Sequence, residues 1–414
     1  MPPAPAPRAP VSLGCRLNAY EAERMDALAR ARGLDAQVVN TCAVTAEAVR
    51  QSRQAVRRAA RGGPVLVSGC ASQIEPDAFA AIEGVAGVIG NGEKTDPAAF
   101  ARLGAVPRDV ASATALPRAP APSAVPVRAP LEVQNGCDHA CTFCIIPTGR
   151  GRARSKRTED CAAEAAELAR RGARELVLTG VDLTSWGPDL GEARLGHVVE
   201  AILAATPSDV HVRLSSIDGA EIDDHLFALL TTERRVAPYA HLSLQAGDDM
   251  ILKRMKRRHG RADALELCDR LRTARPDIAL GADLIAGFPT ETDAMFANTL
   301  NLIGEAGLAY VHVFPFSPRK GTPAARMPQV DRPVVKARAA ALRAAASAAL
   351  ARRLDALIGR TMSVLIEQVQ DSAPVGKTGC FADISLPSGT GVPGERVRAR
   401  VTARDGRRLG AVRT

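Results

Sequence analysis

Three cysteines near the middle of the chain are spaced closely enough to bind one metal centre. Cys137, Cys141 and Cys144 lie in the segment NGCDHACTFC and have the spacing C-x3-C-x2-C. Three thiolates on one short loop suit three irons of a 4Fe-4S cube, which leaves the fourth iron open to a small chelating ligand. The same residues could instead form a three-cysteine zinc site, or their spacing could be chance. We prefer the cluster because the loop directly follows a predicted strand.

A second set of cysteines is spread over the first part of the chain. Cys15, Cys42 and Cys70 each end a short apolar run, namely VSLGC, AQVVNTC and PVLVSGC. Helical patterns over residues 19–32 and 46–61 separate these runs, which predicts a parallel sheet with helices between its strands. Because ligands of such sheets bind at the carboxyl ends of the strands, we expect the three thiols to converge at that edge.

Composition and hydrophobic pattern predict an α/β fold in several segments. Residues 1–10 form a Pro/Ala-rich tail, residues 11–104 carry the parallel α/β sheet, and residues 105–130 are a Pro/Ala-rich linker. Residues 131–358 alternate apolar strands with helices and end on a long helix, which predicts either an open doubly wound sheet or a full or partial (βα) barrel. Residues 359–414 contain short alternating strands and predict a small β-barrel.

The overall composition excludes several classes of protein. Of the 414 residues, 46% are hydrophobic and 24% are charged, so a wholly disordered chain is excluded. No apolar run reaches the roughly 18 residues that a membrane span needs, so we expect no membrane partner. Cysteines without a secretion signal favour a reducing, cytoplasmic setting over a disulfide framework. The net charge of +9 fits either a polyanionic partner or an ordinary solvated surface.

The central cysteine loop, followed by strand–helix repeats, resembles the radical S-adenosylmethionine (SAM) superfamily. The resemblance implies that SAM chelates the open iron of a cluster on Cys137, Cys141 and Cys144 and is cleaved there to a 5′-deoxyadenosyl radical. It also implies SAM contacts at later strand ends, in the motifs TGVD, RLSSID, LSLQAG and DLIAGFPTE. The predicted cofactor-binding residues in these motifs are Gly180, Asp182, Ser215, Ser216, Gln245 and Gly287.

The N-terminal cysteine motifs resemble the first domain of the methylthiotransferase family, which has MiaB, MtaB and RimO groups. They read LGCRLNAYE, VVNTCAVTAEA and VSGCASQ. The resemblance implies a second 4Fe-4S cluster, held by Cys15, Cys42 and Cys70, that handles the sulfur to be transferred. Each cluster would then have three cysteine ligands and one open iron.

Two of these motifs are most similar to the MtaB group. LGCRLN-x-YE and VVNTCAVT carry the similarity, and FPFSPRKGTPA (314–324) supports it. The resemblance implies methylthiolation at C2 of N6-threonylcarbamoyladenosine at position 37 of tRNA. The alternatives within the family are the same chemistry on isopentenyladenosine in tRNA or on a ribosomal-protein aspartate. An alternative of another class is a non-catalytic iron–sulfur electron carrier that binds RNA.

Two basic regions are predicted to contact RNA. The last segment stands where these enzymes carry a TRAM domain, and strand alternation places three of its arginines on one face, suited to phosphate contacts. These are Arg396, Arg398 and Arg400. A second basic run follows the cluster loop, and we expect it to contact anticodon-loop phosphates or the cofactor carboxylate, with a solvated run as the alternative. It consists of Arg150, Arg152, Arg154, Lys156 and Arg157.

The remaining expectations concern partners and the residues outside the two cysteine sets. The resemblance implies the anticodon stem-loop of tRNA as the partner and an electron donor such as flavodoxin or ferredoxin, and we expect a monomer. Cys161, Cys268 and Cys380 lie apart in helix or strand patterns, so we expect them to be structural. His139 lies inside the cluster loop, and we expect a polar loop residue rather than an iron ligand.

Overall fold

The structure is a computed structural model, and it describes residues 8–101, 110, 113, 115–116, 118, 122, 124–191 and 193–414. The predicted tail therefore lies mostly outside the described residues, as does much of the predicted linker over 105–130. Within the described ranges, no helix is both long and apolar enough to cross a membrane.

The N-terminal segment forms a four-stranded parallel sheet in the order β1-β2-β3-β4. Its elements are β1 (Val11–Ser12), α1 (Arg16–Ala31), β2 (Gln37–Thr41), α2 (Ala46–Ala60), β3 (Val65–Gly69), α3 (Cys70–Ile74), α4 (Pro76–Ala80) and β4 (Val85–Val88). Thr45 caps α2 by accepting a hydrogen bond from the backbone N–H of Ala48. Strands β2 and β3 are almost wholly buried, which matches their apolar runs, whereas β4 is half-exposed and has no clear pattern.

The central segment alternates strands with helices. Its elements are β5 (Arg128–Glu132), β6 (Gln134–Asn135), α5 (Ile146–Arg150), β7 (Arg154–Ser155), α6 (Thr158–Arg170), β8 (Glu175–Thr179), α7 (Leu195–Ala205), β9 (His211–Leu214), β10 (Ser216–Ile217), α8 (Asp224–Thr232), β11 (Tyr239–Gln245), α9 (Asp249–Met255), α10 (Arg261–Ala274), β12 (Ala279–Ala286), α11 (Asp293–Glu305), β13 (Leu308–Pro315) and α12 (Arg332–Asp355).

Strands β5-β8-β9 and β10-β11-β12-β13 form two parallel sheets, and β6 pairs with β7 in a short antiparallel sheet. Val212 of β9 forms an isolated bridge with Val236, just before β11. The largest buried apolar cluster lies between the two parallel sheets and the surrounding helices, and Cys161 and Cys268 are fully buried within it, as expected of structural thiols. Strand β5 begins at Arg128, inside the predicted linker, because Arg128 pairs with Glu175 on β8. The predicted α/β class with a partial barrel is confirmed.

The last segment is a closed five-stranded barrel in the order β14-β15-β16-β18-β17. Its strands are β14 (Thr361–Gln370), β15 (Ala373–Thr378), β16 (Asp383–Ser385), β17 (Arg396–Asp405) and β18 (Arg408–Arg413). Side chains on β17 alternate as expected, since Val397, Ala399 and Val401 are buried while Arg398 and Arg400 are exposed.

The small barrel packs against the strands of the central segment. The ring of Phe381 stacks on that of Tyr239 with the centroids 4.9 Å apart. Beside this contact, the guanidinium of Arg213 binds the Glu175 carboxylate at 2.7 Å and donates a hydrogen bond to the Gly379 carbonyl at 3.0 Å. The two segments therefore share a charged and aromatic contact in addition to chain connectivity.

Candidate active site

The loop between β6 and α5 directs three cysteine sulfurs toward one place. A Cβ atom at Gly136 would lie 1.8 Å from the Arg152 carbonyl oxygen, so the left-handed turn that opens this loop requires glycine. Each sulfur accepts a hydrogen bond from a neighbour. The donors are the backbone N–H groups of His139 and Ile146, to Cys137 and Cys144 at 3.4 Å each, and the Arg257 guanidinium, to Cys141 at 3.6 Å.

His139 is more closely involved in this loop than its sequence position indicates. Its imidazole lies 3.0 Å from the Asp182 carboxylate and 3.4 Å from that of Glu221. Hydrogen bonds to Cys141 and Glu221 outweigh the effect of burial and raise the pKa of His139 to about 10. The imidazole thus carries a positive charge beside the three thiols. Asp182, a predicted SAM contact, also accepts a hydrogen bond from the Cys137 thiol at 3.5 Å.

The cysteines of the N-terminal sheet also come together, at the carboxyl ends of β1, β2 and β3. A Cβ atom at Gly14 would lie 2.6 Å from the Cys42 sulfur, so the loop carrying Cys15 passes directly over Cys42 because Gly14 has no side chain. Burial raises the pKa of the Cys42 thiol to about 11, and Cys70 and Cys15 lie near enough to contribute to that shift.

The two cysteine sets face each other. Burial raises the pKa of the Cys144 thiol to about 11, and both Cys141 and Cys70 lie near enough to add to that shift. A Cβ atom at Gly149, in the helix after Cys144, would lie 3.2 Å from the Cys70 Cβ atom. Helices α3 and α5, which carry Cys70 and Gly149, are therefore in contact.

The predicted RNA contact of Arg150 is wrong. The residue is 2% exposed, and its guanidinium donates hydrogen bonds to the Cys70 sulfur at 3.2 Å and to both carboxylate oxygens of Glu21. The buried Glu21 carboxylate needs countercharges, which Arg150 and Lys94 supply. The positive charges of Arg150 and Lys94, with smaller contributions from their hydrogen bonds, outweigh burial and lower the pKa of Glu21 to about 2.

The other basic residues divide between the interior and the surface. Arg154 and Lys156 are buried, and Lys156 binds the Glu164 carboxylate at 2.8 Å, so they do not contact RNA either. The Arg152 side chain is 80% exposed. Arg396 is half-buried and donates a hydrogen bond to the Arg174 carbonyl, in contrast to the exposed Arg398 and Arg400 of the same strand face. Of the residues predicted to contact RNA, four are exposed to a polyanion: Arg152, Arg157, Arg398 and Arg400.

A cavity of about 190 Å³ is lined in part by chain neighbours of both cysteine sets. Val44 and Thr45, just after Cys42, form one side, and Phe143, just before Cys144, forms another. The remaining lining residues come from the ends of β11, β12 and β13 and the loop after β13. They are Gln245, Asp283, Ile285, Phe314, Pro315, Phe316 and Ser317. A small flat molecule in this cavity would contact Val44 and Thr45 on one side and Phe143 on another.

Comparison with known proteins agrees with this arrangement. The family model of the Radical SAM superfamily matches residues 131–303, and that of the uncharacterized protein family UPF0004 matches residues 9–90. A threonylcarbamoyladenosine tRNA methylthiotransferase MtaB of Rickettsia prowazekii is 44% identical over 86% of this chain and 87% of its own length. The chain belongs to the MtaB methylthiotransferase family.

Two further comparisons concern a related tRNA-modifying enzyme and a solved structure. A tRNA-2-methylthio-N(6)-dimethylallyladenosine synthase of Erythrobacter litoralis is 34% identical over 86% of this chain and 85% of its own length. The structure of the radical SAM methyltransferase TsrM of Kitasatospora setae, with cobalamin and a [4Fe-4S] cluster bound, has a TM-score of 0.54 at 14% identity. It covers 77% of this chain and 76% of that chain. At this identity the TsrM likeness shows the fold alone.

Membership in the MtaB family implies SAM and 4Fe-4S clusters as cofactors, and the donor sets fit them. Each set offers three sulfurs, and around the central loop the neighbours donate hydrogen bonds to those sulfurs. Such donors stabilise ligated thiolates. The assignment of individual cysteines to clusters remains a prediction, taken up below.

The other predicted SAM residues take varied positions in this MtaB-family chain. Gln245 ends β11 with a positive φ of 70° and lines the cavity. A Cβ atom at Gly180 would lie 2.9 Å from Gln134, and one at Gly287 would lie 2.5 Å from Val335, so both glycines allow close packing. Ser215 is half-buried and Ser216 exposed. Their contacts with SAM remain predictions.

Several residues around the site were not predicted from the sequence. Glu21 lies within the motif LGCRLNAYE, and a carboxylate on the buried face of α1 was the available signal. Arg257 binds the Asp218 carboxylate at 2.9 Å besides contacting Cys141. His241 lies on β11 and Asp283 on β12. Both stand within apolar runs, and from the sequence those runs predicted only strands.

Proposed function

We propose that this chain methylthiolates C2 of N6-threonylcarbamoyladenosine at position 37 of tRNA. One observation carries the proposal: a single cavity of about 190 Å³ touches the neighbours of both cysteine sets. An enzyme that activates a C–H bond at one site and attaches sulfur from another needs the substrate to reach both. The similarity to MtaB proteins supports this choice of substrate over isopentenyladenosine.

The inertness of the target bond explains why the site contains two metal-binding thiol sets. The C2 hydrogen of adenine is not acidic, so side-chain acids and bases cannot activate it. When bound to the chain, a cluster with SAM supplies the 5′-deoxyadenosyl radical that removes such a hydrogen. The protein itself must hold the base in a fixed position in the cavity and exclude water. Phe143, Phe314 and Phe316 offer apolar, aromatic surface for a flat base in the cavity.

The thiols divide into two roles under this proposal. Cys137, Cys141 and Cys144 hold the cluster that binds SAM, next to the positive His139 and to Asp182. Cys15, Cys42 and Cys70 hold the cluster that presents the sulfur. Because the helix that follows Cys144 packs against Cys70, at 3.2 Å from a Cβ atom placed on Gly149 to the Cys70 Cβ atom, the substrate needs no large movement between the two.

The proposed partner is the anticodon stem-loop, whose unpaired bases can leave the stack and enter a cavity. The five-stranded barrel stands in the position of a TRAM domain, and the exposed Arg398 and Arg400 are suited to the phosphate backbone. Arg152 is a second surface cation beside the cluster loop. We further propose a cytoplasmic monomer that receives electrons from a flavodoxin or ferredoxin.

The test is anaerobic turnover of the cluster-loaded protein with a reductant, SAM and a tRNA that carries N6-threonylcarbamoyladenosine. Mass analysis of the digested tRNA should show the 2-methylthio derivative of that nucleoside, together with 5′-deoxyadenosine. The Cys141→Ala protein should form neither. The Cys268→Ala protein, altered at a buried thiol away from the cavity, should form both.

Two results would redirect the proposal. Modification of isopentenyladenosine tRNA alone would move the protein to the neighbouring substrate class. Absence of 5′-deoxyadenosine from a preparation with full iron and sulfide content would support a non-catalytic electron carrier instead.

A further inference from the structure

Four polar side chains form a connected row on one face of strands β11, β12 and β13. Tyr239 Oη lies 3.0 Å from His241 Nδ1, and His241 Nε2 lies 3.0 Å from Asp283 Oδ1. The Nδ1 atom of His312 lies 3.2 Å from the same Asp283 oxygen. We call these four residues the polar row. The cysteine sets do not use it.

The polar row reaches the cavity through Asp283, which forms part of its lining. Side chains two positions apart on a strand share a face. Asp283 therefore points to the same side as Ile285, and His312 to the same side as Phe314, and both apolar residues line the cavity. His312 is 63% exposed at its side chain and His241 only 4%, so His312 is the accessible end of the row.

The hydrogen bonds fix what the row can offer to a ligand. An ionised carboxylate can only accept, so His241 Nε2 donates to Asp283, and His241 Nδ1 shares a second hydrogen bond with the Tyr239 hydroxyl. Burial acts to raise the pKa of Asp283, but hydrogen bonds from His241 and His312 outweigh it and lower the pKa to about 2. Asp283 is therefore an ionised acceptor. Both bonds end on Oδ1, so Oδ2 has lone pairs left for a ligand.

We propose that the polar row is the subsite for the polar, acidic substituent on N6 of the substrate adenosine. The inference rests on the proposed function and names the residues that select its substrate. The threonylcarbamoyl group carries N–H donors, a hydroxyl and a carboxylate. Asp283 Oδ2 accepts from a carbamoyl N–H, and Nε2 of His312, the ring nitrogen not bonded to Asp283, accepts from the hydroxyl. Tyr239 and His241 are positioning residues that hold Asp283 in place.

This subsite favours a polar substituent over an all-carbon one. An isopentenyl group would cover Asp283 Oδ2 and His312 without offering a hydrogen bond, and a carboxylate oxygen that is covered and left without a donor is costly. Sites built around hydrogen bonds reject analogues that lack them far more strongly than apolar pockets reject a misfit. The row thus gives a physical reason for discrimination between the two tRNA substrates of this family.

The experiment measures the affinity of the cluster-loaded protein for three anticodon stem-loops. The loops are identical except at position 37, which carries threonylcarbamoyladenosine, isopentenyladenosine or unmodified adenosine. The variants are His312→Leu and Asp283→Asn. The matched control is His225→Leu, because His225 pairs with Glu200 at 3.0 Å on helices away from the cavity. Iron content and circular dichroism verify that each variant is folded.

The wild-type protein and the control should bind the threonylcarbamoyl loop most tightly. His312→Leu and Asp283→Asn should each raise the Kd for that loop by roughly 10-fold or more, since the first removes a hydrogen-bonding imidazole and the second removes the negative charge of the acceptor. Their Kd for the unmodified loop should stay unchanged. If the variants had the same ratio of Kd values for these two loops as the wild type, the subsite would be wrong. An equal loss of affinity for all three loops would overturn it as well.

Turnover separates this inference from the function on which it rests. If the wild-type protein methylthiolates threonylcarbamoyl tRNA and the variants discriminate between the loops as the wild type does, the subsite is wrong and the proposed function stands. A wild-type protein that leaves that tRNA unmodified, while it modifies isopentenyladenosine, overturns the proposed function and the subsite with it.

Discussion

The Nε atom of Arg150 donates a hydrogen bond to the Sγ atom of Cys70 at 3.2 Å. Arg150 ends the helix that follows Cys144, and Cys70 begins the helix after β3, so this bond joins the two cysteine-bearing elements. The same guanidinium binds Glu21, which Lys94 also contacts. The buried charges therefore set the separation of the two proposed cluster sites.

Replacement of Arg150 should destabilise the protein strongly. Arg150→Leu would leave the buried Glu21 carboxylate with Lys94 as its remaining countercharge, and loss of one partner from a buried ion pair costs about 3–5 kcal/mol. Urea unfolding of the variant and the wild type measures this difference in the free energy of unfolding. Arg152→Leu is the matched control, because that side chain is 80% exposed, and its effect should stay within about 0.5 kcal/mol. Equal stability of the two variants would contradict the structural role of Arg150.

Alanine substitutions should divide the cysteines by iron content. Cys42→Ala should remove one cluster, about four of roughly eight irons per chain, and leave SAM cleavage by the other site measurable. Cys144→Ala should remove a similar amount of iron together with 5′-deoxyadenosine formation. Cys268→Ala should retain all iron, because Cys268 is fully buried in the apolar core. Loss of iron from Cys268→Ala, or its retention in Cys42→Ala, would refute the assignment.

His211 should make the protein less stable as the pH drops below neutrality, whereas His139, whose pKa is raised, contributes in the opposite sense. Burial, aided by the positive charge of Arg396, lowers the pKa of His211 to about 4. An unfolded histidine titrates near pH 6.5. The unfolded chain therefore binds a proton more readily, so the contribution of His211 is present above about pH 6.5 and is lost as the pH falls toward about 4.

Urea unfolding midpoints at about pH 7.5 and about pH 5 test this dependence. His211→Gln cannot take up a proton, so its midpoint should change less between the two values than that of the wild type. His197→Gln, altered at an exposed imidazole on α7, serves as the control and should behave like the wild type. A pH dependence that is the same in all three proteins would show that His211 is not protonated differently on unfolding.

Local pattern predicted most of the fold. The apolar runs ending at Cys42 and Cys70 became β2 and β3, because buried parallel strands need little more than a short apolar run between turn residues. Strand β4 was not predicted, since its four residues are half-exposed at a sheet edge and have no alternation. Its place depends on pairing with β3, a tertiary contact.

Convergence of the cysteine sets could be predicted for the same reason, since strand ends of a parallel sheet share an edge. The burial of Arg150 could not. In the sequence it opens a basic run that is typical of a solvated surface, and its partner Glu21 lies 129 positions earlier. The polar row likewise depends on the register between β11, β12 and β13, which pairs Asp283 with His312. The pattern of a single sequence does not show which residues of two neighbouring strands pair.

The exposed face of β17 should contribute to the salt dependence of tRNA binding. Arg398 and Arg400 project outward, and each phosphate contact in a largely single-stranded loop adds about 0.7 to the slope of log Kd against log salt. The double variant Arg398→Ser/Arg400→Ser should therefore lower that slope by about 1.4. Arg170→Ser/Arg234→Ser removes the same charge from exposed sites at the end of α6 and in the turn after α8, and it should leave the slope near the wild-type value. Filter binding over a range of potassium chloride concentrations compares the three proteins. Equal slopes for the two double variants would mean that overall charge, rather than this strand face, binds the tRNA.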